Sequence, residues 1–171
     1  TCLIRVQVTA ATEGDYVNAV PAGNFGSTPI NYNSTTATLR VLPPSAVSIS
    51  KSFSPSTTVL TGTSLLTITL NNSGGVSAGI TSFTDNLLTM GTTAVRIAAS
   101  PAATNNCGGV LTAVPGATTI SLASGGVIPA GGTCQIIVPV QAEPNFTTGN
   151  RTNTLPPDSL VTSAGNNENT T

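Results

Sequence analysis

One sequence pattern occurs twice in this chain, at positions 132 residues apart. Residues 1–10 read TCLIRVQVTA and residues 133–142 read TCQIIVPVQA, and six of these ten positions are identical. After a short insertion the similarity continues, matching Gly14, Asn18, Pro21 and Asn31 to Gly149, Asn153, Pro156 and Asn166. A period of this length is about the size of a small domain, so the pattern predicts a tandem array of domains that each have their own core.

The repeat predicts how the chain is divided. We expect residues 1–44 to be the C-terminal strands of a preceding copy, and residues 45–171 to be a second copy that lacks its last strand. The segment LPPS at residues 42–45 forms the joint, because consecutive prolines fix the backbone and favour a stiff, extended conformation.

The last strand of the first copy has no counterpart in the second. It is predicted at Ala37, Thr38, Leu39, Arg40 and Val41. We expect this strand to complete the domain of a neighbouring copy, either by strand donation or within one continuous polypeptide. Either arrangement gives a head-to-tail array, in which the only expected partners are further copies of the chain.

Hydrophobic periodicity predicts an all-β fold. Apolar and polar residues alternate with a period of two, and no window sustains the spacing of an amphipathic helix. Strands are predicted at residues 2–8, 16–20, 38–42, 47–53, 66–70, 80–84, 94–99, 118–122, 134–140 and 151–155. Short strands separated by turn residues are typical of a β-sandwich. Its core is predicted to contain Ile49, Leu66, Ile68, Leu70, Phe83, Ile120, Ile136 and Val138.

The composition excludes several kinds of partner. Charged residues make up only 6% of the chain and the net charge is −1, without a basic cluster, so we expect no binding of nucleic acid. No polybasic patch and no apolar run of membrane-spanning length is present, so we expect no membrane contact. The aromatic content of 4%, without tryptophan, is low for a surface that stacks against sugars.

Six motifs follow one another between residues 45 and 171. They are ISKSFSP at 49–55, LTITLNN at 66–72, FTDNLL at 83–88, NCGG at 106–109, IPAGGTC at 128–134 and TNTLP at 152–156. In this order they resemble the conserved-repeat domains found in tandem in large bacterial surface proteins and adhesin-like exoproteins. The resemblance implies an immunoglobulin-like β-sandwich, an extracellular or cell-surface location, and a stalk or filament role without an assigned activity. Asn86-Leu87-Leu88 stands where the family usually has Leu-Pro, which leaves the turn after Asp85 open.

The resemblance also pairs two of the three cysteines. It implies a disulfide between Cys107 and Cys134, and the alternative is that both are buried free thiols. The counterpart of Cys2 would lie in the preceding copy, so Cys2 is expected to be unpaired or linked to another chain. A metal site is not expected, because the chain has no histidine and no CxxC motif.

Lys51 is the only lysine of the chain, and it lies in the middle of a predicted strand on the same face as Ile49 and Phe53. A buried lysine needs a partner. Asp85 and Asn153 lie at the ends of other predicted strands. Two interpretations remain open, an ion pair between Lys51 and Asp85, or an isopeptide bond between Lys51 and Asn153 assisted by Asp85, as in some surface-protein sandwiches.

We expect no enzyme activity. Without histidine the chain has no Ser-His or Cys-His pair, and the acidic pairs Glu13 with Asp15 and Asp158 with Glu168 lie in loop-like sequence. We therefore expect no cofactor, no metal and no small-molecule substrate. The function predicted first is a structural repeat module of an extracellular filament or adhesin stalk, and the alternative is an adhesive module whose loops bind a glycan or another surface.

Overall fold

The computed structural model describes residues 3–24, 33–41, 47–91, 94–145 and 147–167. The chain divides into two compact units, Thr1–Pro43 and Pro44–Thr171. The division lies between the two prolines of the predicted joint. Cys2 lies outside the described residues, so its two expected states, unpaired or linked to another chain, stay predictions.

The described residues are almost entirely β-strand. The strands are β1 (Gly14–Val20), β2 (Thr35–Val41), β3 (Val47–Ser54), β4 (Thr63–Asn72), β5 (Ala78–Asn86), β6 (Val95–Ile97), β7 (Thr104–Asn105), β8 (Leu111–Ala113), β9 (Thr119–Leu122), β10 (Gly126–Ile128), β11 (Gly132–Ala142), β12 (Leu160–Thr162) and β13 (Gly165–Asn166). One short 3-10 helix, Leu87–Met90, follows β5. No helix among these residues is long and apolar enough to cross a membrane.

The first unit contains a two-stranded ribbon. β1 and β2 pair antiparallel along their whole length, with Gly14 opposite Val41 and Val20 opposite Thr35. The strand predicted at residues 2–8 is wrong for its described part, because residues 3–10 are exposed and belong to no strand. A strand requires a neighbour for its backbone N–H and C=O groups, and the described part of this unit offers none to residues 3–10.

The second unit contains two antiparallel sheets. One has the order β3-β4-β11-β6, with β7 also paired to β11, and the other has the order β13-β12-β5-β9-β8, with β10 also paired to β5. Buried residues from both sheets form one hydrophobic core. This arrangement confirms the predicted all-β sandwich fold.

The core follows from the alternation in the two longest strands. In β4, Leu66, Ile68 and Leu70 are fully buried, and Ile136 and Val138 of β11 lie opposite Ile68 and Leu66. Phe83 and Ile120 add the contribution of the second sheet. The predicted core is therefore confirmed, except that Ile49 is only half-buried, because β3 is an edge strand of its sheet.

The strand predicted at residues 151–155 is also wrong. These residues are irregular, although Asn153 and Leu155 are buried and the residues between and before them are exposed. The backbone N–H of Thr154 donates to the Thr89 hydroxyl at 3.2 Å instead of joining a strand ladder. The segment thus has the burial pattern of a strand without the pairing.

The turn after Asp85 is the short 3-10 helix. The side chain of Asn86 caps it by accepting a hydrogen bond from the backbone N–H of Leu88 at 3.0 Å. Leu87 and Met90 are buried beneath this turn. An asparagine is a favoured N-cap, which explains how this chain turns without the Leu-Pro pair that the resemblance implied.

Candidate functional site

Three residues predicted from the sequence meet inside the second unit. Lys51 lies in the middle of β3, opposite Ile68, and Asp85 lies near the end of β5, opposite Ile120. Asn153 belongs to the irregular segment between β11 and β12. Strand parity explains the placement, because Lys51 and Asp85 occupy the same alternate positions as the apolar residues that face the core.

The side chains form a connected group, which we call the Lys51 cluster: Lys51, Asp85, Thr89 and Asn153. Lys51 Nζ lies 3.5 Å from Asp85 Oδ1, and Asn153 Nδ2 donates to Asp85 Oδ2 at 2.8 Å. The side chains of Lys51 and Asp85 are only 6% and 0% exposed. One buried carboxyl group therefore contacts both the lysine amine and the asparagine amide.

Thr89 was not singled out in the sequence. Its hydroxyl lies 2.9 Å from Asn153 Oδ1 and 3.1 Å from the backbone oxygen of Asn86, so its single proton has two available acceptors. Thr89 itself lies at the surface of the unit, on the 3-10 helix. No sequence pattern identifies this residue, because its role depends on the capped turn that follows Asp85.

Burial changes the titration of both charged groups. It lowers the pKa of Lys51, although the negative charge of Asp85 and the hydrogen bond to it act in the opposite direction. Burial raises the pKa of Asp85, opposed by the charge of Lys51 and by hydrogen bonds from Asn153, Lys51 and the Asn86 backbone. Both shifts favour the uncharged forms, a free amine beside a carboxylic acid. A free amine is a nucleophile, whereas an ammonium group is not.

The structure contains the disulfide between Cys107 and Cys134, which confirms that expectation. The two Cα atoms are 5.0 Å apart, and both residues are buried. The side chain of Asn105 holds the loop before the bond, because it accepts from the Cys107 backbone N–H at 2.8 Å and donates to the Gly108 carbonyl at 2.9 Å. Gly109 follows with φ near +73°, and a Cβ atom there would lie 2.6 Å from the Ala123 carbonyl oxygen. The loop therefore requires glycine at this position.

The described members of the acidic pairs named in the sequence, Glu13, Asp15 and Asp158, are all exposed. Asp15 lies 3.8 Å from Arg40 in the exposed ribbon, and Asp158 accepts a hydrogen bond from Asn166 at 2.8 Å. Glu13 is exposed, and Glu168 lies outside the described residues. Within the described ranges no group of three metal-ligating side chains is present.

A second feature is a cavity of about 670 Å³ in the second unit. Its lining includes the apolar residues Phe53, Leu60, Met90 and Val95, the polar residues Ser56, Thr57, Thr58 and Ser64, and residues 147–151. Phe53 is the one aromatic residue among the described residues that line it. The cavity therefore has a mixed polar and apolar lining and lacks the stacked rings typical of sugar-binding platforms.

The predicted donor strand, Ala37, Thr38, Leu39, Arg40 and Val41, lies within β2. There it pairs with β1, its neighbour in the ribbon. This strand and the Lys51 cluster belong to different units, and each is described by itself.

The comparisons with known proteins give one family. The family described as Domain of unknown function (DUF7933) matches residues 47–171. No curated protein and no solved structure matches the chain. The match begins at the first residue of β3 and includes the whole described sandwich, with its disulfide and the Lys51 cluster. Because this match covers well over half of the sequence, the chain belongs to the DUF7933 domain family.

Proposed function

We propose that the chain is a structural module of an extracellular or cell-surface filament or stalk, in which copies follow one another head to tail. The observation that carries the proposal is the internal repeat. Its first copy includes Ile4, Val6 and Val8, which are exposed, and its second copy places the matching Ile136, Val138 and Val140 in a sandwich core. The first copy thus has the sequence of a core strand but no core beside it in the described structure.

The strand order supports an immunoglobulin-like classification of the repeat. In one sheet β3, β4 and β11 are neighbours, and in the other β13, β12 and β5 are neighbours. β3, β4 and β11 correspond to strands A, B and E of an immunoglobulin-type sandwich, and β12 and β5 correspond to strands F and C. Domains of this type are compact units with termini at the surface, which suits repetition along a stalk.

The ribbon in the first unit supports completion of one copy by a strand like β2. Under the repeat alignment, residues 149–155 are the counterparts of β1, which pairs along its length with β2. Residues 149–155 form no strand in the described structure, although Asn153 and Leu155 are buried in strand-like alternation with the exposed Thr152 and Thr154. A strand equivalent to β2 would give this segment the ladder that β1 already has.

A strand added to residues 149–155 in the register of the ribbon would end at the cavity. Gly14 pairs with Val41 in the ribbon, and Gly149, the counterpart of Gly14, lines the cavity. An added strand in the same register would therefore bring an apolar residue equivalent to Val41 to a cavity whose lining also includes Phe53 and Met90. Head-to-tail addition would thus bury apolar surface as well as satisfy backbone groups.

The chemical character of the module fits an extracellular location. Disulfides such as Cys107–Cys134 form and persist in oxidising compartments. The polar part of the surface is formed mostly by hydroxyl and amide side chains, because only 6% of residues are charged. Such a surface offers little to charged partners, which suits a spacer more than a receptor or an enzyme.

Localisation of the protein on intact cells tests the proposal. Antibodies raised against the full chain and detected with gold particles should label thin structures that extend outside the envelope of the source cells. Serum depleted with the purified chain is the control. Labelling confined to the cell interior would contradict the proposal, and specific binding of the purified chain on a glycan array would instead support the adhesive alternative.

A further inference from the structure

The Lys51 cluster places a nucleophile, an electrophile and a proton carrier in one buried position. Lys51 supplies an amine, Asn153 supplies a carboxamide carbon, and the Asp85 carboxyl group contacts the nitrogens of both. Neighbouring inward positions on the two strands are apolar, including Ile49 and Phe53 in β3 and Phe83 in β5. The surroundings therefore limit the access of water to the three polar groups.

We propose that Lys51 and Asn153 are joined by an intramolecular isopeptide bond between Lys51 Nζ and Asn153 Cγ, formed with the help of Asp85. The bond would link β3 of one sheet to the segment that leads into β12 of the other. This modification does not depend on the filament role, because it requires only the fold of the second unit.

The reaction balances without a cofactor or an oxidant. One proton passes from Lys51 Nζ to Asp85 Oδ1, which leaves a neutral amine beside a carboxylic acid. The amine lone pair attacks Asn153 Cγ, and the resulting oxyanion at Oδ1 accepts a hydrogen bond from the Thr89 hydroxyl, which already lies 2.9 Å from this oxygen. Asp85 then protonates Asn153 Nδ2 and accepts the remaining excess proton from Nζ. The carbon–nitrogen bond to Nδ2 breaks and ammonia leaves.

The surroundings favour this reaction over a permanent ion pair. Burial lowers the pKa of Lys51 and raises that of Asp85, so the environment favours the reactive uncharged forms. A buried ion pair loses solvation that its mutual attraction has to offset, whereas a secondary amide carries no charge. Because one carboxyl group holds both nitrogens, the reactants also need no diffusive encounter.

The chain allows a sharp test because Lys51 is its only lysine. The full chain, carrying no lysine in any tag and with its disulfide reduced, should have an intact mass lower than the sequence mass by one ammonia. An amine-reactive reagent applied to the unfolded chain should modify the terminal amine alone, and peptide mapping should recover residues 51 and 153 in one branched peptide.

Variants distinguish the formation of this bond from other reactions that release ammonia. Asn153→Ala should restore the full mass of its sequence and make Lys51 reactive, and Asp85→Ala should do the same. Asn18→Ala is the matched control, because Asn18 is the counterpart of Asn153 in the repeat but is exposed in β1, and it should keep the ammonia loss. If the intact mass of the natural chain equals its sequence mass, without the loss of ammonia, the proposal is overturned whatever the variants do. An ammonia loss with a reactive Lys51, or one that persists in Asn153→Ala, would overturn it equally.

Discussion

The two copies of the repeated pattern have the same alternation but different surroundings. Ile4, Val6 and Val8 are 77%, 77% and 70% exposed, whereas the matching Ile136, Val138 and Val140 are 0%, 0% and 2% exposed. The second set lies in β11, which has β4 on one side and β6 and β7 on the other. The first set belongs to no strand in the described structure.

The difference shows what a period-two pattern specifies. Alternation decides which residues of a strand will face a core, but it does not provide the neighbouring strands that make a core. β11 is a strand because β4 supplies ten opposite positions and a buried apolar face. The same reasoning applies to Asn18 and Asn153, since only the second asparagine is enclosed beside a carboxyl group.

The largest expected difference between the copies concerns these two asparagines. Asn153→Ala should lower the free energy of unfolding of the second unit by about 5 kcal/mol, the chain-entropy value for a cross-link that closes a loop of roughly 100 residues. Asn18→Ala should change it by less than about 0.5 kcal/mol, as expected for an exposed side chain. Chemical denaturation of the full chain measures both changes in the free energy of unfolding. Equal changes would contradict the claim that the buried surroundings of Asn153 distinguish it from Asn18.

The disulfide gives the next largest effect. Replacing Cys107 and Cys134 together by serine should lower the free energy of unfolding by roughly 3.5 kcal/mol, because the bond closes a loop of 27 residues. Cys2→Ser is the matched control, since Cys2 is the repeat counterpart of Cys134. If Cys2→Ser lowers the free energy of unfolding as much as the double variant does, the stabilising effect is not specific to the disulfide between Cys107 and Cys134, and the contrast between the two copies is contradicted.

Truncation of matching isoleucines should also affect the free energy of unfolding differently in the two copies. Ile136→Ala removes a fully buried side chain and should cost about 3 kcal/mol, from lost burial and from the cavity that remains. Ile4→Ala removes a side chain that is already exposed and should have almost no effect on unfolding of the second unit. Denaturant midpoints of the two variants decide the matter, and a large effect of Ile4→Ala would mean that residues 3–10 have a partner in this chain.

The smallest expected effect concerns Thr89. Thr89→Val removes the hydroxyl beside Asn153 Oδ1 while keeping the shape of the side chain, so the proposed bond should form more slowly. The remaining free Lys51 measured at intervals after synthesis gives the rate. Thr84→Val, which changes an exposed threonine in β5, is the control and should form the bond at the natural rate.

Long strands and the core could be predicted because they carry several periods of alternation. β3, β4 and β11 contain eight to eleven residues each. The alternation in β3 also showed that Lys51 lies on the same face of the strand as Ile49 and Phe53. β7 and β13 contain two residues each and carry no periodic signal, so pairing with β11 and β12 defines them. The strand predicted at residues 151–155 was wrong because the pattern of burial there is not accompanied by a ladder.

The site was predictable in part for similar reasons. Lys51 could be identified because a lone charge interrupts an apolar row, and Asp85 because it directly follows the strand predicted at residues 80–84. Asn153 lies inside the strand predicted at residues 151–155, and it was named as a possible partner of the lysine. Thr89 could not be found, because it reaches Asn153 only through the 3-10 turn capped by Asn86. The disulfide pairing came from the family resemblance, since the spacing of the cysteines alone left free thiols open.

Hydrogen exchange in an extended chain tests most directly whether residues 3–41 belong to another copy of the same sandwich. Residues 47–132 would be placed immediately before Thr1, so that residues 1–41 follow in the position that residues 133 onward occupy in the natural chain. The amides of Ile4, Val6 and Val8 should then become as protected as those of Ile136, Val138 and Val140, because they gain the neighbours that β11 has. The same extension carrying Ile68→Asp in the added copy is the control and should leave them unprotected. Exchange of Ile4, Val6 and Val8 in the extended chain as fast as in the natural chain would contradict the tandem-module proposal.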